Sequence, residues 1–103
     1  MGSPEYGRLV LDGEMLVEAG SIESRSVLWS EDGTRLAAQE LVSWQDDPKT
    51  RVVVFDTHRR TRVAASPPRR GFDVPIRFEP GVLVYRHEHV AGERELRLTI
   101  DER

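Results

Sequence analysis

His87-Glu88-His89 is the segment with the most chemistry in it. On an extended strand, alternate side chains share one face, so two imidazoles one residue apart can chelate a single divalent ion. Tyr85 falls on that same face, and His58 is the only other imidazole that could complete a set. The plainer account is a solvated strand face. Two tryptophans offer a different chemistry: Trp29 and Trp44 could stack a sugar ring or anchor a partner protein, although indoles in such positions more often fill a core.

Other chemistries have no anchor in this chain. It contains no cysteine, which removes disulfides, thiolate metal sites and a cysteine nucleophile together. There is no Gly-x-Ser-x-Gly elbow, no phosphate-binding glycine loop and no His-Glu-x-x-His helix. The adjacent acids Glu31/Asp32 and Asp46/Asp47 sit where turn formation and solvation explain them better than a general acid/base pair. No catalytic residue is assigned, no cofactor is expected, and the chain is not read as an enzyme.

Charge is unevenly laid out along the 103 residues. Residues 1–47 carry ten acids and three bases, residues 48–77 eight bases and two acids, and residues 78–103 six acids and four bases, which yields the net −3. Within the middle third, His58-Arg59-Arg60-Thr61-Arg62 and Pro67-Pro68-Arg69-Arg70 form a stretch free of carboxylates from Thr57 to Phe72. Such a stretch attracts phosphate or an acidic protein surface, unless the acidic N-terminal half folds against it. Phe72 is its only aromatic, and no RNA-binding or helix-turn-helix pattern accompanies it, so a protein partner is favoured over nucleic acid. The surface proposed for that partner comprises Glu31, Asp32, Asp46, Asp47, Arg59, Arg60, Arg62, Arg69 and Arg70. Arginine outnumbers lysine fourteen to one, a bias that reads more as genome composition than as a demand for bidentate recognition.

The elements that must position these residues read as strands. Asp12-Gly13 between Arg8–Leu11 and Glu14–Val17 is a hairpin signal, because both turn residues tolerate positive φ. Val27 and Trp29 share a face opposite Leu28, and Asp32-Gly33 marks the next turn. Residues 34–44 are ambiguous: Leu36, Ala37, Glu40, Leu41 and Trp44 recur at helical spacing, whereas Leu36, Ala38, Val42 and Trp44 fit a strand. Arg51-Val-Val-Val-Phe-Asp56 is β-branched enough to predict a central strand. Ser66-Pro-Pro-Arg-Arg-Gly71 reads as a mobile loop, since proline removes donors and restricts its neighbour. From Val74 onward, Pro80-Gly81 and Ala91-Gly92 separate three further runs, in the last of which Leu96, Leu98 and Ile100 alternate with Arg97 and Thr99.

Two resemblances follow from these segments. Val27-Leu-Trp-Ser-Glu-Asp-Gly-Thr-Arg-Leu-Ala37, Arg51–Asp56 and Arg62–Ala65 together resemble one blade of a β-propeller of the TolB or WD-repeat type, with Glu31 where the blade turn has proline. Residues 75–101 read as a degenerate second copy, at an offset drifting from 49 to 45 residues. Two units are too few to close a ring, so the resemblance implies either assembly of several chains or a sandwich that shares the meander. Gly81, five residues, His87-x-His89, three residues and Glu93 are similar to the first half of the cupin metal motif, a resemblance that implies Glu93 as a ligand beside His87 and His89; the motif's closing glycine and second half are not matched.

The expected fold is therefore all-β: one domain over residues 1–103, with 1–6 a flexible lead-in. About eight short antiparallel strands form a small sandwich, half-barrel or two blade-like units, with a helix over 34–44 as the alternative. No apolar run reaches the length that spans a bilayer, and residues 1–7 lack the character of a secretory signal, so a cytoplasmic chain with no membrane association is expected. The chain is similar to the loose class of small, acidic, cysteine-free bacterial immunity proteins that neutralise toxins, which makes a non-catalytic protein-binding module the leading function. The alternatives are a ligand-binding, lectin-like protomer that oligomerises into a propeller, and a metal-binding β protein using His87 and His89.

Overall fold

The structure, a computed structural model, describes residues 6–7, 10–11, 14–15, 21–23, 26–43, 45 and 48–100. Among them, in chain order, run β1 (Tyr6–Gly7), β2 (Val10–Leu11), β3 (Glu14–Met15), β4 (Ser21–Glu23), β5 (Leu28–Trp29), β6 (Arg35–Ser43), β7 (Lys49–Asp56), β8 (Thr61–Ala65), β9 (Arg69–Arg70), β10 (Phe72–Glu79), β11 (Val82–His89) and β12 (Gly92–Thr99). Every pairing is antiparallel. The protein is all-β, as its alternation predicts.

β7 organises the larger sheet. Its run Val52-Val53-Val54-Phe55 is buried completely on both faces, the pattern of a strand at the centre of a layered fold. β6 pairs along its length on one side, and β8 and β9 share the other, giving the order β1-β4-β6-β7-β8 with β5 beside β6. β10, β11 and β12 form a separate three-stranded meander, and β2 with β3 a hairpin whose Leu11 faces Glu14. The Asp12-Gly13 turn joining that hairpin lies outside the described residues. Tyr6 pairs with Glu23, so the lead-in expected over residues 1–6 ends in a strand; residues 1–5 are outside the description.

Two apolar clusters lie on either side of the larger sheet. Ala37, Val52 and Val54 pack against Leu83 and Tyr85 of the smaller sheet, with Leu28, Phe78, Leu96 and Leu98 around them. Ile22, Ala38, Val53 and Phe55 form the second, joined by Val27 and Ala65. The opposite facing of Val27 and Leu28 is as the alternation predicts. Residues 35–43 are strand, which disposes of the helical alternative there. The helical spacing was imitated because both faces of β6 are covered, so Leu36 to Glu40 are buried without a break.

Turn chemistry closes the strands. Pro80-Gly81 connects β10 to β11 as a two-residue loop in which Gly81 takes φ +70°, the position a type II turn reserves for glycine. The β7–β8 turn instead places Arg60 at φ +56°, with its N–H donated to the Asp56 carbonyl at 2.7 Å. The Ser66–Gly71 segment departs from the mobile loop expected of it. Ser66 donates its N–H to the Val52 carbonyl and its hydroxyl accepts from Val52 N–H, both at 2.9 Å, while Arg69 and Arg70 pair with Thr50 and Lys49 as β9. The prolines spare donors only at Pro67 and Pro68, and pairing resumes immediately after them.

Candidate functional site

At the end of the sandwich where β7 begins, Thr50 joins the two sheets. Its hydroxyl, fully buried, donates to the Gly71 carbonyl at 2.9 Å and accepts the Asp73 N–H at 3.0 Å. Gly71 itself donates to the Pro48 carbonyl at 2.8 Å and has φ +103°; a Cβ there would run into the Glu88 carbonyl oxygen and press on His89. Only glycine lets β10 start this close to β11.

That entry places Asp73 opposite His87. Asp73 is 0% exposed, and its Oδ1 accepts from His87 Nδ1 at 2.6 Å. Burial pushes the Asp73 carboxyl above its ordinary range, opposed first by the His87 hydrogen bond and then by charge on His87 and Arg69. The Tyr85 hydroxyl next to it is also pushed up, chiefly by burial and then by the Asp73 charge, against which Arg69 and Arg94 both act. Two guanidiniums, a tyrosine, a histidine and one buried carboxylate therefore converge here. A carboxylate on Nδ1 fixes the tautomer and leaves Nε2 as the working nitrogen, a hydrogen-bond acceptor when neutral and a donor to anions when protonated.

Two adjoining depressions open beside the pair. A cleft of about 270 Å³ is lined by His87, His89, Ala91, Gly92, Glu93 and Arg94. A groove of about 260 Å³ runs past Pro48, Gly71, Phe72, Glu88, His89 and Val90. Val90, at the tip of the β11–β12 hairpin, is 95% exposed, an aliphatic side chain in a turn that solvation alone would fill with a polar residue. Lys49, Arg69, Arg70 and Arg94 surround this end, while the nearby Glu88 and Glu93 both lie against Arg86, at 2.5 and 3.6 Å.

The residues expected to do chemistry are placed as follows. His87 and His89 share a face, with Tyr85 behind them, but Glu93 pairs across from Glu88 and turns to the other face with Arg86. Arg94 stands opposite His87 instead, a cation where a third ligand is needed. His58 is in the β7–β8 turn, at the far end of β7. Among the described residues no three His, Cys, Asp or Glu side chains are grouped to hold a metal ion, and His87 is paired with Asp73.

Trp29 is half exposed, so its indole is available at the surface and is not core. Trp44, Asp46 and Asp47 lie outside the described residues. Glu31 and Asp32 are exposed in the β5–β6 turn, where Asp32 Oδ1 accepts from the Ser30 hydroxyl and from Thr34 N–H and hydroxyl at 2.8–3.0 Å. Those bonds, with the Thr34 N–H foremost, hold its carboxyl down at about 2. Arg59, Arg60 and Arg62 belong to the neighbouring β7–β8 turn and the start of β8; Thr57 links the two turns through Thr34 and Gly33 carbonyls. Arg69 and Arg70 are at the opposite end of β7, about 23 Å away at strand rise. The basic stretch is thus two patches, because β8 carries the chain from one end of the sheet to the other.

Thr50, Ser66, Asp73 and Val90 were not singled out by sequence. The signal for Asp73 was present: an acid between Phe72 and Val74 inside a strand-like run. No protein-family model, curated protein or solved structure matches this chain.

Proposed function

We propose that the chain is a non-catalytic protein-recognition module whose binding surface is the basic end of the sandwich, and that its partner presents an acidic surface there. The observation that carries this reading is the coupling of an apolar groove, Pro48, Phe72 and the protruding Val90, to a rim of Lys49, Arg69, Arg70 and Arg94. Apolar centres with charged rims are the anatomy of protein interfaces, and an exposed aliphatic tip is a ready anchor. His87, held by the buried Asp73, lines the adjoining cleft. Neutralising a toxin in a bacterial cytoplasm is a role of this kind: an inhibitor acts by covering a partner and needs no chemistry of its own.

Affinity capture from the native host checks it. Immobilised wild type should retain a partner at physiological salt and release it as salt rises, because the rim contacts are screened. A Val90→Asp, Arg69→Glu, Arg70→Glu variant should retain none. Capture of no partner, or equal capture by both baits, would remove the reading.

The half-exposed indole of Trp29 favours one second reading, ligand stacking by a propeller-forming protomer. Sugar-induced change in Trp29 fluorescence, together with a ring-sized mass by light scattering, is what it requires.

A further inference from the structure

The outer edge of β12 is a regular eight-residue strand that pairs with β11 and, among the described residues, with no other strand. Ile100 donates its N–H to the Gly81 carbonyl at 2.8 Å, continuing the register in which Leu98 faces Leu83 and Leu96 faces Tyr85. Antiparallel ladders alternate, so the even-numbered residues of β12 direct N–H and C=O to β11. The odd-numbered residues, Glu93, Glu95, Arg97 and Thr99, direct theirs outward, and their side chains are exposed. Long edges of this kind are normally blunted by proline, a bulge or charged side chains, and charge repels a second copy only where like signs oppose. β12 has no proline, its register with β11 is unbroken, and its outward-bonding positions carry both signs of charge, Glu93 and Glu95 with Arg97.

We propose that this edge is a docking surface for a second copy of the chain, β12 against β12 about a two-fold axis through Leu96. Only odd residues can pair with odd, since only they carry outward backbone groups. An axis through Glu95 would oppose two carboxylates, and one through Arg97 would oppose two guanidiniums. Centring on Leu96 sets Glu95 against the second copy's Arg97 and Glu93 against its Thr99, each twice by symmetry. The half-buried Leu96 then meets its own counterpart on the inner face. The product is a six-stranded sheet in an isologous dimer, which closes and does not polymerise. Within one copy Arg77 reaches Glu95 at 3.4 Å and Arg97 reaches Glu79 at 2.5 Å, so the new pairs extend an existing lattice of alternating charge. This edge adjoins the basic end at Glu93 and Arg94, but pairing along β12 is tested independently of partner capture there.

Sedimentation equilibrium of the full chain over a concentration series tests the proposal. The weight-average mass should rise from one to two copies of 11.8 kDa. Glu95→Arg, which places guanidinium against guanidinium at two points, should raise the dissociation constant by about tenfold or more, and Glu95→Arg with Arg97→Glu should restore it. In the wild type, the Glu95 and Arg97 amides should gain hydrogen-exchange protection with concentration, while the Leu96 amide, bonded to β11, should be protected throughout. That readout decides the matter if a variant misfolds. A monomer up to about 1 mM, a dimer indifferent to Glu95→Arg, or edge amides whose exchange ignores concentration would overturn it.

Discussion

Asp73 and Asp32 are both aspartates with perturbed carboxyls, and they push stability in opposite directions with pH. Asp32 is held down at about 2 by donors in its own turn, so it contributes stability that is present above 3.8 and lost as pH falls toward 2. The thermal midpoints of wild type and Asp32→Ala should therefore differ at neutral pH and converge near pH 2. Asp73 is raised by burial, so the native state holds its proton more tightly than the unfolded chain and stability declines as pH rises through its folded value. His87 limits that decline. Replacing His87 with Leu removes the partner of a fully buried carboxylate and should cost about 3–5 kcal/mol near neutral pH in urea denaturation. The loss should shrink in acid, where Asp73 is protonated; a loss that does not vary with pH would mean that packing, not charge, governs the site.

The strands were legible because their signals are local. Four consecutive β-branched or aromatic residues announced β7, and Asp32-Gly33, Pro80-Gly81 and Ala91-Gly92 announced its neighbours' turns. The pairing of Asp73 with His87 was not legible, because it depends on a bulge. β10 and β11 shift register between Pro75 and Arg77, and if the register set at the turn ran on without that shift Val74 would stand opposite His87. The bulge also reverses which residues face inward: Asp73 and Pro75 before it, Phe78 after it, with Arg77 and Glu79 turned out to their ion pairs. Proline lacks a ladder donor and suits a bulge, yet nothing in one sequence says which neighbour takes up the slip. Two outcomes belong to this scale. Phe55→Ala, opening a cavity in β7, should cost about 3–5 kcal/mol in denaturant unfolding. Gly71→Ala should cost about 1–3 kcal/mol, since it combines positive φ with a clash against β11.

Across the molecule, charge is arranged by topology more than by sequence neighbourhood. Arg59 and Arg70 are eleven positions apart in the chain and at opposite ends of the sheet. Glu31 and Asp32 share the former's end, so acidic and basic groups mix there, while among the described residues Lys49, Arg69, Arg70 and Arg94 stand around an apolar groove at the other end, where Glu88 and Glu93 lie against Arg86. Val90 protrudes from that end with little to pack against. Val90→Asp should leave the unfolding free energy within about 0.5 kcal/mol of wild type while abolishing partner capture, a separation that only a surface anchor produces.

The buried centre of β7 carries a hazard along with its stability. Arg51-Val-Val-Val-Phe-Asp56 combines β-branched residues, an aromatic and no proline, the composition from which stacked, self-templating fibrils are built. Native layers hide it on both sides, and Arg51 and Asp56 flank it as gatekeepers. Any substitution that loosens the sandwich should therefore be seen first as precipitation during refolding, at concentrations where the intact protein stays in solution.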